Sequence, residues 1–186
     1  MAAKLVYYSQ KDKRWSKVPF SIIGSRKQTI GTSACGPTSY AMAASYFLKR
    51  TILPTELAKF ALEKGYRTRN DGTDWGFFAA ASTYYHLRCI QTDSLETVLK
   101  ALPAGALVIA SMGPGHLTGG GHYILLVRVS EMWIDVFDPN HNNKRYGNDG
   151  LIKHGGRQNG KISVHLSVFQ QEAKQYWILK KEEATN

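Results

Sequence analysis

Among 186 residues there are 2 cysteines and 6 histidines, and neither Cys35 nor Cys89 lies in a C-x-x-C or Cys/His spacing that would hold zinc. Cys35 sits in Ser33-Ala34-Cys35-Gly36-Pro37-Thr38-Ser39, at the mouth of a segment that reads as a helix with Pro37 in its first turn. A thiol there feels the free N–H groups and the positive end of the helix, which favour its thiolate. A neighbouring imidazolium adds to this, and such sites lower a thiol pKa from about 8.5 to roughly 3.5–7.5. That is an activated nucleophile. The competing reading makes Cys35 a small residue buried under the helix. Cys89, in Leu87-Arg88-Cys89-Ile90, has no such setting and reads as structural.

A thiolate nucleophile needs a base. His122 follows Gly119-Gly120-Gly121 and opens the apolar run Tyr123-Ile124-Leu125-Leu126-Val127, a placement that fixes an imidazole at a strand end beside open backbone. His116, in the same glycine-rich stretch, is the alternative. A third group must hold the imidazole in one tautomer, and Asp138 in Phe137-Asp138-Pro139-Asn140 ends the next apolar run. Pairing 122 with 138 in an antiparallel hairpin also pairs Ile124 with Val136 and Leu126 with Ile134, a continuous apolar face. A two-residue turn at Ser130-Glu131 would instead bring Asp135 to the histidine's face, and Asn140 is a weaker competitor. Gln10 and Gln28 are the candidate side-chain donors for an oxyanion, beside the Cys35 N–H; spacing does not choose between them. The glycines Gly36, Gly120 and Gly121, with Trp75, are the expected substrate contacts.

The elements that must position these residues run from helices to strands. Helices are predicted from about Gly36 to Arg50, from after Pro54 with Thr55 as N-cap to Gly65, from Asp74 to His86, and after an Asp93/Glu96 capping box with Pro103 beyond its end. Strands are predicted at 106–111, 123–129, 132–137, 161–166 and 176–180. Helices first and strands later give an α+β fold. Residues 1–31 read as an irregular arm wrapping the domain, anchored by Tyr7, Tyr8, Trp15 and Phe20, and residues 1–186 as a single domain. Gly113–Gly121 reads as a surface loop, and 141–159, rich in Asn, Gly, Lys and Arg, as the least regular part of the chain.

Taken together, Gln10-Lys11-Asp12 with Arg14-Trp15, Ala34-Cys35-Gly36-Pro37-Thr38-Ser39, Thr55-Glu56-Leu57-Ala58, Gly72-Thr73-Asp74-Trp75, Gly121-His122-Tyr123-Ile124 and Asp138-Pro139-Asn140 resemble the papain-like cysteine peptidases. They are more closely similar to stand-alone relatives of the bacteriocin-processing, double-glycine leader peptidases, peptidase family C39. The order Gln, Cys, His, Asp with these flanks carries the resemblance. It implies an N-terminal helical layer carrying Cys35, packed on a coiled antiparallel sheet carrying His122 and Asp138, with a cleft between. It also favours Gln10 as oxyanion donor, although the long stretch between Asp12 and Cys35 keeps Gln28 in play.

Composition bounds the rest. Hydrophobic residues make up 43% and charged residues 20%, as expected of a folded chain, and no apolar run approaches the roughly 20 residues that span a bilayer. The first residues carry Lys4, Lys11, Lys13 and Arg14 in place of a signal peptide's apolar region. Synthesis in the cytoplasm is the expectation, with release by a holin or carriage in a virion, since free-standing relatives of this look occur among bacterial and phage wall hydrolases. The net charge of +10 attracts anionic polymers, those of a bacterial wall included. The expected function is therefore cleavage of a peptide or amide bond through a thioester, in a bacterial wall peptide, by a monomer without metal or organic cofactor, nucleic-acid partner or membrane insertion. Two alternatives stand beside it. An acyltransferase or transglutaminase would use the same residues with an amine acceptor. A non-enzymatic module would bind polyanion through Arg67, Arg69, Lys144, Arg145, Lys153 and Arg157.

Overall fold

A computed structural model describes residues 4–155 and 159–185. From Leu5 to Thr29 the chain is irregular, and Tyr8, Trp15 and Phe20 are buried in it as anchors. It leads through a one-turn helix α1 (Ile30–Ser33) into α2 (Cys35–Leu48). Ala41, Ala43 and Ala44 on α2 are wholly buried, so small side chains let this helix lie close against other elements. Helix α3 (Pro54–Glu63) starts on Pro54 itself, with Leu53 rather than Thr55 as N-cap, since a proline with its missing N–H suits the first helical position. Helix α4 spans Gly76–Tyr85.

The predicted separation of helices from strands fails at one point. Strand β1 (Leu87–Thr92) lies between α4 and α5 (Leu95–Ala101). Its apolar residues are only Leu87, Cys89 and Ile90, too few to show an alternation, and it forms one edge of the sheet by pairing with β7 (Ala173–Lys181). Helix α5 is capped by Ser94, whose hydroxyl accepts from the Thr97 N–H at 3.2 Å, not by Asp93. The other strands are β2 (Leu107–Met112), β3 (His122–Ser130), β4 (Trp133–Phe137), β5 (Ile152–Lys153) and β6 (Lys161–His165), with helix α6 (Leu166–Glu172) before β7. The seven strands form one antiparallel sheet in the order β1-β7-β2-β3-β4-β6-β5.

Both faces of that sheet are covered. Tyr123, Leu125, Trp177 and Leu179 pack with α2, α3, α4 and the arm in one core. Val108, Ile124, Val136 and Ile178 pack with residues of α5 and α6 in a second. The helical layer expected on the sheet is present, and a smaller one lies behind it.

Candidate active site

Cys35 is the first residue of α2, and its N-cap, Ala34, has no side-chain acceptor for the first-turn N–H groups. The adjoining Gly36 is buried: a Cβ there would lie 3.2 Å from the Tyr123 ring, 3.3 Å from Thr73 and 3.4 Å from Phe78. Glycine thus lets the helix mouth close onto β3, and Gly36 sits beneath the groove rather than on its wall. The Tyr123 hydroxyl donates to the Thr73 carbonyl at 2.6 Å, tying the 66–75 loop to the same strand. Cys35 is partly exposed and lines two connected hollows of about 390 and 500 Å³.

His122 opens β3, and its side chain is buried against Cys35 and Asp138. Its Nε2 lies 2.7 Å from Asp138 Oδ1; an ionised carboxylate only accepts, so Nε2 carries a hydrogen and Nδ1 is left for the thiol. Burial alone would push the Cys35 thiol up, but hydrogen bonding to His122, its charge, and the N–H groups of Tyr123 and Gly36 bring it below its ordinary value. Burial works against a charged His122 as well, yet Asp138 and Cys35 raise it to about 10. Both shifts favour the thiolate and imidazolium form of the pair.

Asp138 is completely buried, and its carboxylate is surrounded by donors. Oδ1 accepts from His122 and, at 2.8 Å, from the Asn140 N–H, while Oδ2 accepts from Asn143 Nδ2 at 3.0 Å and the Tyr146 hydroxyl at 2.8 Å. Burial raises its pKa, but His122 and these hydrogen bonds outweigh that and hold it below the ordinary carboxylate value. Asn143 and Tyr146 come from the stretch expected to be least regular. Nothing in their spacing announced them; only their amide and hydroxyl chemistry suited a buried anion.

The hairpin reaches this arrangement by a register different from the one expected. The tight turn is at Glu131-Met132, one residue beyond the alternative turn at Ser130-Glu131, with Glu131 in the left-handed region at φ 54°. From it Ser130 pairs with Trp133, Val129 with Ile134 and Arg128 with Asp135; beyond a bulge at Val127, Leu126 pairs with Val136 and Leu125 with Phe137. Asp135 is thereby sent away from the histidine, to Arg128 at 2.9 Å and Ser163 at 2.7 Å. Asn140 gives its backbone N–H, not its side chain, to the carboxylate.

The remaining candidates separate cleanly. Gln10 is buried and donates from Nε2 to the Gly31 carbonyl at 3.0 Å, in the one-turn helix that leads to Cys35; its Oε1 is buried without a partner. Gln28 spends its amide on the arm and loop, accepting from Ser21 at 2.7 Å and donating to the Arg69 carbonyl at 2.8 Å. His116 lies outside the site, bridging Glu172 at 2.5 Å and Asp149 at 2.7 Å. Trp75 and Gly121 line the hollow at Cys35, and Gly120 its neighbour. Trp75 stands 41% exposed, edge-on to buried Trp177.

Arg67 does not serve as a polyanion contact. It is 2% exposed and holds the Phe20, Thr68 and Gly72 carbonyls. Arg157 lies outside the described residues. Burial pushes the Cys89 thiol up, as suits a structural cysteine. No cluster of His, Cys, Asp and Glu able to hold a metal occurs among the described residues, and none of their helices is long and apolar enough to cross a membrane.

The model of the Peptidase C39-like family matches residues 4–178. The chain belongs to the peptidase C39-like family. C39 proteins are cysteine peptidases, and solved C39-like structures share the α+β, papain-like fold. The peptidase domain of Streptococcus ComA, a bi-functional ABC transporter involved in quorum sensing, superposes with a TM-score of 0.60 at 15% identity, over 81% of this chain and 93% of that one. A protein described as a C39-like peptidase from Bacillus anthracis gives 0.58 at 14% identity, over 98% and 97%. A double glycine motif protease from an AMS/PCAT transporter, in complex with the leader peptide, gives 0.50 at 17%, over 80% and 84%. No curated protein matches this C39-like chain by sequence.

Proposed function

We propose that this C39-like chain is a thiol hydrolase that cleaves a peptide or amide bond through a thioester on Cys35, with His122 as base and acid and Asp138 as the group that orients it. The observation that carries the reading is the contact of His122 with Asp138 at 2.7 Å through one ring nitrogen while its other nitrogen serves Cys35. With its proton already held on His122 Nδ1, the Cys35 thiolate attacks the carbonyl carbon. The oxyanion is held by the Cys35 N–H and by the second hydrogen on Gln10 Nε2, the first being taken by Gly31. As the intermediate collapses, His122 gives its proton to the departing amine. Water, deprotonated by His122, then splits the thioester to an acid and restores the thiolate and imidazolium. Asp138 stays ionised throughout.

The acyl side of the substrate rests in the hollow between Trp75 and Gly121. A bacterial wall peptide is the substrate that the net charge of +10 favours. The experiment is incubation with a wall digest and a peptide library, followed by mass spectrometry of both the products and the intact protein. An acyl adduct on Cys35, absent in Cys35→Ala, is expected. Cleavage that persists in Cys35→Ala overturns the reading, and amide products formed from added amines would make the acceptor an amine in place of water.

A further inference from the structure

Beyond His122 the groove continues into a third hollow of about 500 Å³, which includes Gly121 and His122 in its wall but not Cys35. Three cationic side chains, Lys11, Lys144 and Arg145, line it, together with the amides of Asn140, Asn142 and Asn143, and no acidic residue among the described ones does. None of these three cations forms an ion pair with a described residue; Arg145 reaches only the Gly115 carbonyl, at 3.4 Å. Asp12, beside Lys11 in sequence, is paired with Arg14, and Asp149 and Glu172 with His116. On the Cys35 side the lining differs, with Asp71 and Asp74 beside Lys174. The groove is thus electrically lopsided about the thiol.

Chemistry fixes which half of a substrate lies on which side. The carbonyl carbon must reach Cys35, and the nitrogen it releases must lie at His122 to receive the proton. A hollow that touches His122 and not Cys35 therefore takes the amine-side half. We propose that this hollow is a carboxylate-binding subsite, so that the bond cleaved is followed, within about two residues, by an acidic side chain or a free C-terminal carboxylate. The direction of the groove rests on the hydrolase reading; the binding of a carboxylate at Lys11, Lys144 and Arg145 does not.

The test has two arms. In the first, peptides that differ only after the scissile bond, carrying Glu, Gln or Lys there and ending in a free acid or an amide, compete for the wild-type protein. Glu or a free terminus is expected to raise kcat/KM about tenfold over Lys at low salt, the gap narrowing as salt screens it, and Lys144→Glu with Arg145→Glu is expected to reverse the preference. In the second arm, 15N-labelled Cys35→Ala protein is titrated with an acetylated tetrapeptide ending in Glu-Glu. Shifts are expected at the amides of Lys11, Gly121, Lys144 and Arg145, and are expected to vanish in the charge-reversed variant. Cleavage with no acidic preference overturns the subsite while leaving the hydrolase standing. Binding at these amides without cleavage of any peptide overturns the hydrolase and leaves the subsite. Shifts confined to the cationic hollow at Lys4, Lys49 and Arg50, which shares no lining residue with this one, overturn the subsite as well.

Discussion

Asp138 meets His122 on the diagonal of the hairpin rather than directly across it, and the extra residue Val127 is what brings them to one face. Carried on unbroken from the turn, the register that pairs Arg128 with Asp135 would set His122 on the face of Asp135 and Phe137. One unpaired residue reverses the alternation, so Leu126 meets Val136 and His122 shares a face with Asp138. The two aspartates of this hairpin therefore make a matched comparison.

Asp138→Asn is expected to lower kcat by about 10³–10⁴-fold with little change in KM. An amide offers one acceptor oxygen where His122, Asn140, Asn143 and Tyr146 all donate, so one buried donor is also left without a partner, at about 1–3 kcal/mol of stability. Asp135→Asn, which loosens only Arg128 and Ser163, is expected to leave kcat unaltered. Steady-state kinetics and urea unfolding of the two variants decide it.

Activity should occupy a broad pH window. The thiolate must be formed, so the rate rises with pH through the pKa of Cys35, which lies below that of an ordinary thiol. The imidazolium must persist, so the rate falls as His122 loses its proton near about 10. Iodoacetamide labelling of Cys35 should rise on the same acid limb. Labelling that begins only near the pKa of an ordinary thiol would refute the ion pair.

Gln10→Ala is expected to reduce kcat by about 10²–10³-fold, the usual effect of losing one oxyanion donor. Gln28→Ala breaks the contacts to Ser21 and Arg69 and is expected to lower the melting temperature without touching kcat. Equal losses of kcat in the two variants would remove Gln10 from the proposed role.

His116 clips the glycine-rich loop to Glu172 and Asp149, and hydrogen bonds to Asp149 and Glu172 raise its pKa above the ordinary 6.5. A group whose pKa rises on folding stabilises fully below its unfolded value and loses that effect as pH climbs through the folded one. The difference in melting temperature between wild type and His116→Gln should thus be larger at pH 6 than at pH 10. A difference independent of pH would show that the charge contributes nothing.

Much of this site was legible because its residues sit at element boundaries that sequence marks well. A proline in the first turn located Cys35, and the glycines before an apolar run located His122. The phase of the hairpin was not legible, because a bulge at Val127 leaves no trace in a run as uniformly apolar as Tyr123 to Val127. Nor were Asn143 and Tyr146, which reach Asp138 from irregular backbone where no periodicity exists to read. Strand β1 escaped because an edge strand need bury little, and Thr55 and Asp93 were passed over as caps for Leu53 and Ser94, errors of two residues and one.

The arm fastens itself to the far end of the hairpin: the Tyr7 hydroxyl donates to the Asp138 carbonyl at 2.6 Å across 131 positions of sequence, and the Gln10 N–H to Pro139 at 2.9 Å. A nascent chain emerging from the ribosome exposes Cys35 long before the segment that orients its base has been made. Contacts of such long range form late and slowly, so proteolytic competence is expected to arrive only as synthesis nears its end.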